Sequence, residues 1–297
     1  MTDPGRAVLV VGAGYLGLRL AGLLAGMGPK VYALSRSGGM GAPAGEDAAA
    51  GVERIRADLL RDDLKGLIPG GGLDVVVCLA PGGSGPAGGG VYRQVYVDAQ
   101  GRLLEALAGR ESPPGRYVWV SSTSVYAEDG GGWVDESAAV VEGGTAGVLV
   151  EAERLALATG AWGTRATCLR LGGLYGPGRR RLIDLAASGR WPEDAWVRYT
   201  NRIHREDAAL AGCRAVLSEG AWPGVVNVVD DAPVVLGEVL AYLRGLQGLG
   251  DVGELDRGGA GAGRVCGKRI SNAALRGMGV RLGYPSYREG YGAMLGG

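Results

Sequence analysis

Residues 8–20 read VLVVGAGYLGLRL. Four apolar residues lead into three glycines, Gly12, Gly14 and Gly17, and an apolar run at helical spacing follows. The stretch reads as a strand, a tight turn and a helix, and only in that context is a GxGxxG spacing informative. Gly12 permits the turn, Gly14 lets a phosphate approach the main chain, and Gly17 lets helix and strand pack closely. The helix start, at Tyr15 and Leu16, presents unpaired N–H groups and the positive end of a helix dipole. The expectation is a dinucleotide-binding βα unit with Gly12, Gly14, Tyr15, Leu16 and Gly17 around a pyrophosphate. The bland alternative is a tight βα turn without a ligand. A membrane span over 7–28 is a poorer reading, because Arg19 sits in its middle and the glycines already have a purpose. No charged leader with a small-residue cleavage site precedes it, so a cytoplasmic protein without a membrane partner is expected.

Working outward, short β-rich runs alternate with helical patterns. The runs are 7–11, 31–34, 52–56, 75–79, 117–120, 167–171 and 225–229, and the helical patterns are 16–27, 92–109, 147–159 and 206–218. Several runs are apolar throughout, as strands covered on both faces are. The rhythm predicts the α/β class, a doubly wound, mainly parallel Rossmann sheet with a small C-terminal substrate-side region. Residues 1–171 and 201–229 are expected to form the dinucleotide-binding core. Residues 172–200 and 230–297, with shorter elements and more turns, are expected to form the smaller region. Glycine-rich 82–90 and 129–132 read as mobile loops near strand ends, where open α/β sheets bind ligands. SNAALRGMG (271–279) reads as a short helix with Ser271 as N-cap and a glycine at its exit.

Composition narrows the function. Across 297 residues, 31 basic side chains balance 31 acidic ones, which argues against a nucleic-acid partner. The four cysteines, Cys78, Cys168, Cys213 and Cys266, are far apart and form no CxxC pair. Cys78 and Cys168 lie in apolar runs and read as buried free thiols. A single histidine makes a zinc site a poor expectation, and no metal is expected.

The second strand bears on the choice of dinucleotide. An acid usually ends it, bonding the ribose 2′-OH of NAD. Here it ends VYALSRS (31–37), with Ser35 in the acid's place, followed by Arg36 and Ser37. A guanidinium suits a 2′-phosphate, so NADP (NADPH) is expected over NAD. In RADLL (56–60), Asp58, followed by Leu59, ends the third strand; its carboxylate suits the adenine amino group or a helix N-cap. Leu79, Ala80 and Pro81, after the fourth strand, are expected to flank the adenine-side ribose.

GAGYLG, RADLL, YVWVSSTSVY, LRLGGLYGPGR, NRIHREDAA and KRISNAALRGMGVRLGYPSYREGYG together resemble the extended short-chain dehydrogenase/reductase superfamily. Within it they resemble an atypical NAD(P)-dependent epimerase/dehydratase-like subgroup. The resemblance implies a Rossmann sheet of about seven strands plus a small C-terminal substrate region. It implies a catalytic Ser or Thr after the fifth strand, where Ser122 stands beside Thr123, with Ser121 against the coenzyme. It also implies a Tyr-x-x-x-Lys on the next long helix, in which lysine lowers the tyrosine pKa and holds the nicotinamide ribose.

That pair is missing. Alignment of TAGVLVEAE (145–153) puts Thr145 at the tyrosine position and Leu149 at the lysine position. The three lysines, Lys30, Lys65 and Lys268, are preceded four residues earlier by Gly26, Arg61 and Arg264, so no register restores the motif. Val148, Leu149, Ala152, Leu155 and Ala156 form one apolar face, and Glu151, Glu153 and Arg154 are expected to stay solvated. The resemblance also implies a homodimer through helices 92–109 and 147–159.

Hydride transfer to a ketone needs a hydrogen-bond donor as charge develops on oxygen. Ser122 and Thr123 can hold the substrate while water supplies the proton, or Tyr126, and less readily Tyr175, can reach in from a neighbouring loop as the acid. An iminium substrate would need little acid at all. Tyr126 also reads as a packed strand-exit tyrosine. Tyr175, Arg179, Arg202 and His204, together with Arg170, are expected to line a small-molecule substrate site. His204 reads first as a satisfied structural histidine, and Asp207 sits near a helix start, where its charge suits the dipole. The expectation is an NADP(H)-dependent oxidoreductase acting on a small polar metabolite. The alternatives are a non-redox isomerase, dehydratase or cyclase with bound nucleotide, and a non-catalytic NADPH sensor.

Overall fold

The computed structural model describes residues 6–38, 51–82, 89–250 and 263–296. Residues 83–88 of the expected glycine-rich loop lie outside them.

The chain begins with β1 (Ala7–Val11), α1 (Tyr15–Gly26), β2 (Lys30–Ser35), β3 (Val52–Arg56) and β4 (Leu73–Val77). Then α2 (Gly89–Arg93) passes through a π turn at Gln94–Asp98 into α3 (Ala99–Ala108), followed by β5 (Arg116–Ser122). The expected helix over 92–109 is thus present but starts earlier and is interrupted. Next come β6 (Gly130–Val134), α4 (Gly144–Ala158), β7 (Arg165–Leu171), β8 (Gly173–Tyr175), α5 (Arg181–Ser188), β9 (Arg198–Thr200) and β10 (Arg202–His204). The chain continues with α6 (Arg205–Leu217), β11 (Val225–Val228), β12 (Val234–Val235), α7 (Leu236–Leu246), β13 (Cys266–Ile270), α8 (Ala273–Gly277) and α9 (Tyr287–Leu295).

Seven strands form one sheet in the order β11-β7-β5-β4-β1-β2-β3. β1 pairs in parallel with β2 and β4, β2 with β3, and β4 with β5. The doubly wound α/β expectation is met. The chain runs outward from β1 to β3 and returns to β4 on the other side of β1. That reversal opens a crevice at the carboxyl ends of β1 and β4, where such sheets take ligands. All five residues of β1 and of β4 are buried, which explains why they are apolar but for Asp74, whose carboxylate is ion-paired with Arg6 at 2.9 Å.

The chain divides into two compact units. One comprises 1–125, 140–170 and 209–226, and the other 126–139, 171–208 and 227–297. Segments 126–139, 201–208 and 227–229, expected in the nucleotide-binding core, fall in the second unit. The first unit's core joins Leu9, Val11, Leu73, Leu103, Leu107, Tyr117 and Trp119. The second unit holds a four-stranded sheet, β12-β9-β13-β6, and a parallel β10–β8 pair. Its core gathers Ile183, Leu240, Leu243 and Tyr291 from α5, α7 and α9.

Residues 130–132, expected in a loop, open β6, which pairs in parallel with β13. The glycines misled the reading. Gly131 takes φ +81°, and the Glu128 carboxylate accepts from the Gly130 and Gly132 N–H groups at 2.7 and 3.0 Å, so the segment is held by an acid. α8 starts at Ala273 with Asn272 as its cap residue, one place later than expected. Ser271 Oγ still accepts the Ala273 N–H at 3.3 Å, and Gly279, φ +75°, follows the helix. Cys168 is fully buried as expected, whereas Cys78 is only half-buried. Among the described residues no helix is long and apolar enough to cross a membrane, and no cluster of metal-ligating side chains occurs.

Candidate coenzyme and active site

In the first unit, Gly12 has φ +87°, and a Cβ there would sit 2.6 Å from the Cys78 carbonyl oxygen. A Cβ at Gly17 would overlap the Gly12 carbonyl. Both positions are therefore closed to larger residues by the protein itself. Gly14 differs, because a Cβ there would meet nothing within 4 Å. Its lack of a side chain leaves open space at the start of α1. That helix has no side-chain cap and no acid in its first turn. An uncapped helix start facing open space fits a pyrophosphate.

The remaining predicted coenzyme residues stand at the same edge of the sheet. Gly12 and Ala13 N–H groups donate to Leu34 O, tying the glycine turn to the end of β2. Ser35 is half-buried, while Arg36 and Ser37 are exposed in a turn closed by Gly38 N–H to Ser35 O at 3.2 Å. Asp58 Oδ1 accepts from Leu60 N–H at 2.9 Å, and its own N–H donates to Asp62 Oδ2 at 2.7 Å, so it organises a turn. Leu59 is buried in the core. Cys78 N–H donates to Val11 O, placing Leu79, Ala80 and Pro81 where β4 leaves the sheet beside the glycine turn.

At the end of β5, Ser121 is buried and Ser122 and Thr123 are half-buried. Ser122 Oγ accepts from Ser124 N–H at 3.2 Å. On α4, Thr145 is exposed and Leu149 is buried at 4% exposure, so the leucine is packed where a lysine would have to reach out.

Glu153, expected to be solvated, is 3% exposed. Ser121 Oγ donates to its Oε1 at 2.6 Å, and Arg170 grips both oxygens, Nε to Oε1 at 2.9 Å and Nη2 to Oε2 at 2.7 Å. The cause is helical spacing: Glu153 lies one turn beyond Leu149 on the inner face, and a bidentate arginine from β7 makes burial of the carboxylate tolerable. Arg170 is thus the partner of Glu153, whose Oε1 it shares with Ser121. Glu151 is ion-paired with Arg93 at the surface, and Arg154 is exposed.

In the second unit, Tyr126 is 1% exposed, and its hydroxyl donates to Asn227 Oδ1 at 2.6 Å. Lys268 Nζ donates to the Tyr126 carbonyl at 2.7 Å. This geometry is that of a packed tyrosine and argues against the proton-donor reading.

Tyr175, Arg202 and His204 come together, all buried. Tyr175 stacks on Tyr291 at 4.4 Å between centroids and meets the His204 ring edge-on at 5.2 Å. The His204 ring also lies 3.9 Å from that of Tyr284, and its Nδ1 accepts the Glu206 N–H. Burial lowers the imidazole to about 4, so it is neutral. Asp207, in the first turn of α6, accepts from the Gly283 and Tyr284 N–H groups. Arg202 lies 5.7 Å from the Tyr287 ring and donates to Thr200 Oγ1. Arg179 is exposed and donates to Leu174 O at 3.2 Å.

Sequence reading missed Asp230. It is 1% exposed, its N–H donates to Arg202 O at 2.7 Å, and its Oδ1 accepts from Ala232 N–H. Burial pushes its carboxyl up to about 7, with Arg202 opposing the shift. The available signal was an acid pair, Asp230–Asp231, directly after an apolar strand.

The sequence model of the NAD dependent epimerase/dehydratase family matches residues 8–212. No curated protein matches the chain significantly. A candidate NAD-dependent epimerase/dehydratase from Methylobacillus flagellatus is 30% identical, with 98% of this chain and 97% of that chain covered and a TM-score of 0.76. MoeE5, in complex with UDP-glucose and NAD, is 25% identical over 98% of this chain and 97% of that one, with a TM-score of 0.72. The UDP-glucuronic acid 4-epimerase of Bacillus cereus, at 18% identity, shares the fold with a TM-score of 0.78 over 98% of each chain.

Proposed function

The chain belongs to the NAD-dependent epimerase/dehydratase family, and from that premise we propose that it is an NADP(H)-dependent oxidoreductase acting on a small polar metabolite. The observation that carries this reading is the glycine turn, open at Gly14 before an uncapped α1, followed at the end of β2 by Ser35 and Arg36 in place of an acid. Gly12, Gly14, Tyr15, Leu16 and Gly17 would hold the pyrophosphate. Ser35, Arg36 and Ser37 would hold the phosphorylated ribose, and Asp58, Leu59, Leu79, Ala80, Pro81 and Ser121 the rest of the nucleotide. When bound, the nicotinamide supplies or accepts hydride.

The chain's own residues would act as follows. Ser122 and Thr123 are half-buried hydroxyls at the end of β5, suited to hold a substrate heteroatom. Leu149 can neither hold a ribose nor lower a neighbour's pKa, and Thr145 is no acid at neutral pH. Help with protonation is therefore weak, which favours a substrate already cationic at the reacting atom, such as an iminium. The second unit would carry the substrate determinants, with Arg179 as its exposed candidate and Tyr175, Arg202 and His204 shaping the packing behind. A homodimer through α2–α3 and α4 in the cytoplasm completes the proposal.

The test is twofold. Titration should give a lower Kd for NADPH than for NADH; equal or reversed affinities count against Arg36. NADPH consumption should then be found with cyclic imines and not with simple ketones. A second reading, an epimerase or dehydratase of a sugar nucleotide, is favoured by the likeness to MoeE5 with its UDP-glucose and NAD. Conversion of UDP-sugars without net NADPH consumption would select it.

A further inference from the structure

Arg36 is not the sole cation at the end of β2. β3 pairs with β2 in parallel, with Ser35 opposite Arg56 and Ala33 opposite Arg54. Alternation along a strand puts Arg54 and Arg56 on one face and Glu53 on the other. Glu53 is engaged there by Lys30 at 2.9 Å. Arg54 Nη1 reaches to 3.5 Å of the Gly38 carbonyl, and a Cβ built on Gly38 would lie 3.6 Å from Arg56 Cβ. From the other flank of the same turn, Arg36 stretches toward the loop after β4, where a Cβ on Gly82 would lie 3.0 Å from its Nη2. All three arginines are exposed. Arginine side chains therefore leave from both flanks of the turn Ser35–Gly38, with the stem of Arg56 against Gly38, and the acid of β3 is on the opposite face of its strand.

We infer that Arg56, on β3, is a specificity-determining residue that shares the coenzyme's 2′-phosphate with Arg36, while Arg54 holds the turn between them through the Gly38 carbonyl. This rests on the NADP reading above. A 2′-phosphate carries up to two negative charges and presents several acceptor oxygens, so two planar forks approaching from different strands fit it better than one. Like charges gathered on one turn repel one another modestly in water, and a bound dianion relieves that repulsion.

The probes are 2′,5′-ADP and 5′-AMP, which differ by the 2′-phosphate, titrated calorimetrically into the wild-type protein and into R36A, R56A and R56K. The wild type is expected to bind 2′,5′-ADP about tenfold or more tighter than 5′-AMP. R36A and R56A should each cut that ratio at least about threefold, and R56K should keep part of it. Arg56 is exposed, so thermal unfolding of R56A should match the wild type. A wild-type ratio near one overturns the NADP reading itself. A large wild-type ratio that R56A leaves intact overturns the role of Arg56 alone. So does an R56A protein that weakens both nucleotides equally, which would mark Arg56 as a general attractor of anions.

Discussion

Glu153 accepts hydrogen bonds from Ser121 and, twice, from Arg170, while almost wholly withdrawn from water. Removing one partner of a buried ion pair strands the other, at a cost of about 3–5 kcal/mol, whereas replacing both with apolar residues costs much less. Glu153→Leu is therefore expected to lower the urea midpoint sharply, and Glu153→Leu with Arg170→Met to recover much of the loss. A double-mutant cycle measures the coupling. This pairing was not legible in sequence. A glutamate on an amphipathic helix is usually solvated, and only the arrival of Arg170 from a strand seventeen residues later makes burial possible. Leu149 was legible, because a leucine in the inner stripe of a helix has nowhere better to go.

At the scale of the element, the turn between β1 and α1 offers a clean separation of folding from binding. Gly17→Ala drives a methyl group into the Gly12 carbonyl and should destabilise the protein by about 1–3 kcal/mol, seen as a lower melting temperature. Gly14→Ala meets no protein atom, so its melting temperature should match the wild type. Its affinity for dinucleotide should nevertheless fall about tenfold or more, because the methyl would occupy the phosphate's approach. Had Gly14 served only the turn, the second outcome would not appear. The long elements of the first unit were readable because its buried parallel strands carry long apolar runs and the helices between them are periodic. The short strands of the second unit were not. β8, β9, β10 and β12 have two or three residues each, too few to show a period. β6 begins with three glycines, which imitate a loop.

At the scale of the whole molecule, the second unit holds two titrations of opposite sense. Asp230 has an ordinary value of 3.8 and is raised to about 7 in the fold. Between those values the folded form keeps a proton that the unfolded chain has released, so this group's stabilisation is lost as pH rises. His204 is lowered from 6.5 to about 4. Between those values the unfolded chain binds a proton that the folded form refuses, so its stabilisation is lost as pH falls. From about pH 4 to 6.5 the two slopes cancel. Asp230→Asn should expose the histidine's slope, with stability relative to wild type falling on acidification by about 1.4 kcal/mol per pH unit. His204→Gln should expose the opposite slope. Denaturant melts across that range check both. The sequence suggested a structural histidine at 204, but the opposing titration of a buried acid beyond 25 intervening residues, 205–229, was not legible, because the only mark of Asp230 is its place after an apolar strand.

The leucine at position 149 has a kinetic corollary. Hydride delivery in a protein without a tuned phenol has no proton relay to gate it. If the chain reduces a cationic substrate as proposed, turnover should be little slowed in heavy water, and it should decline with rising pH only as the substrate gives up its own proton. A deuterated nicotinamide, by contrast, should slow it.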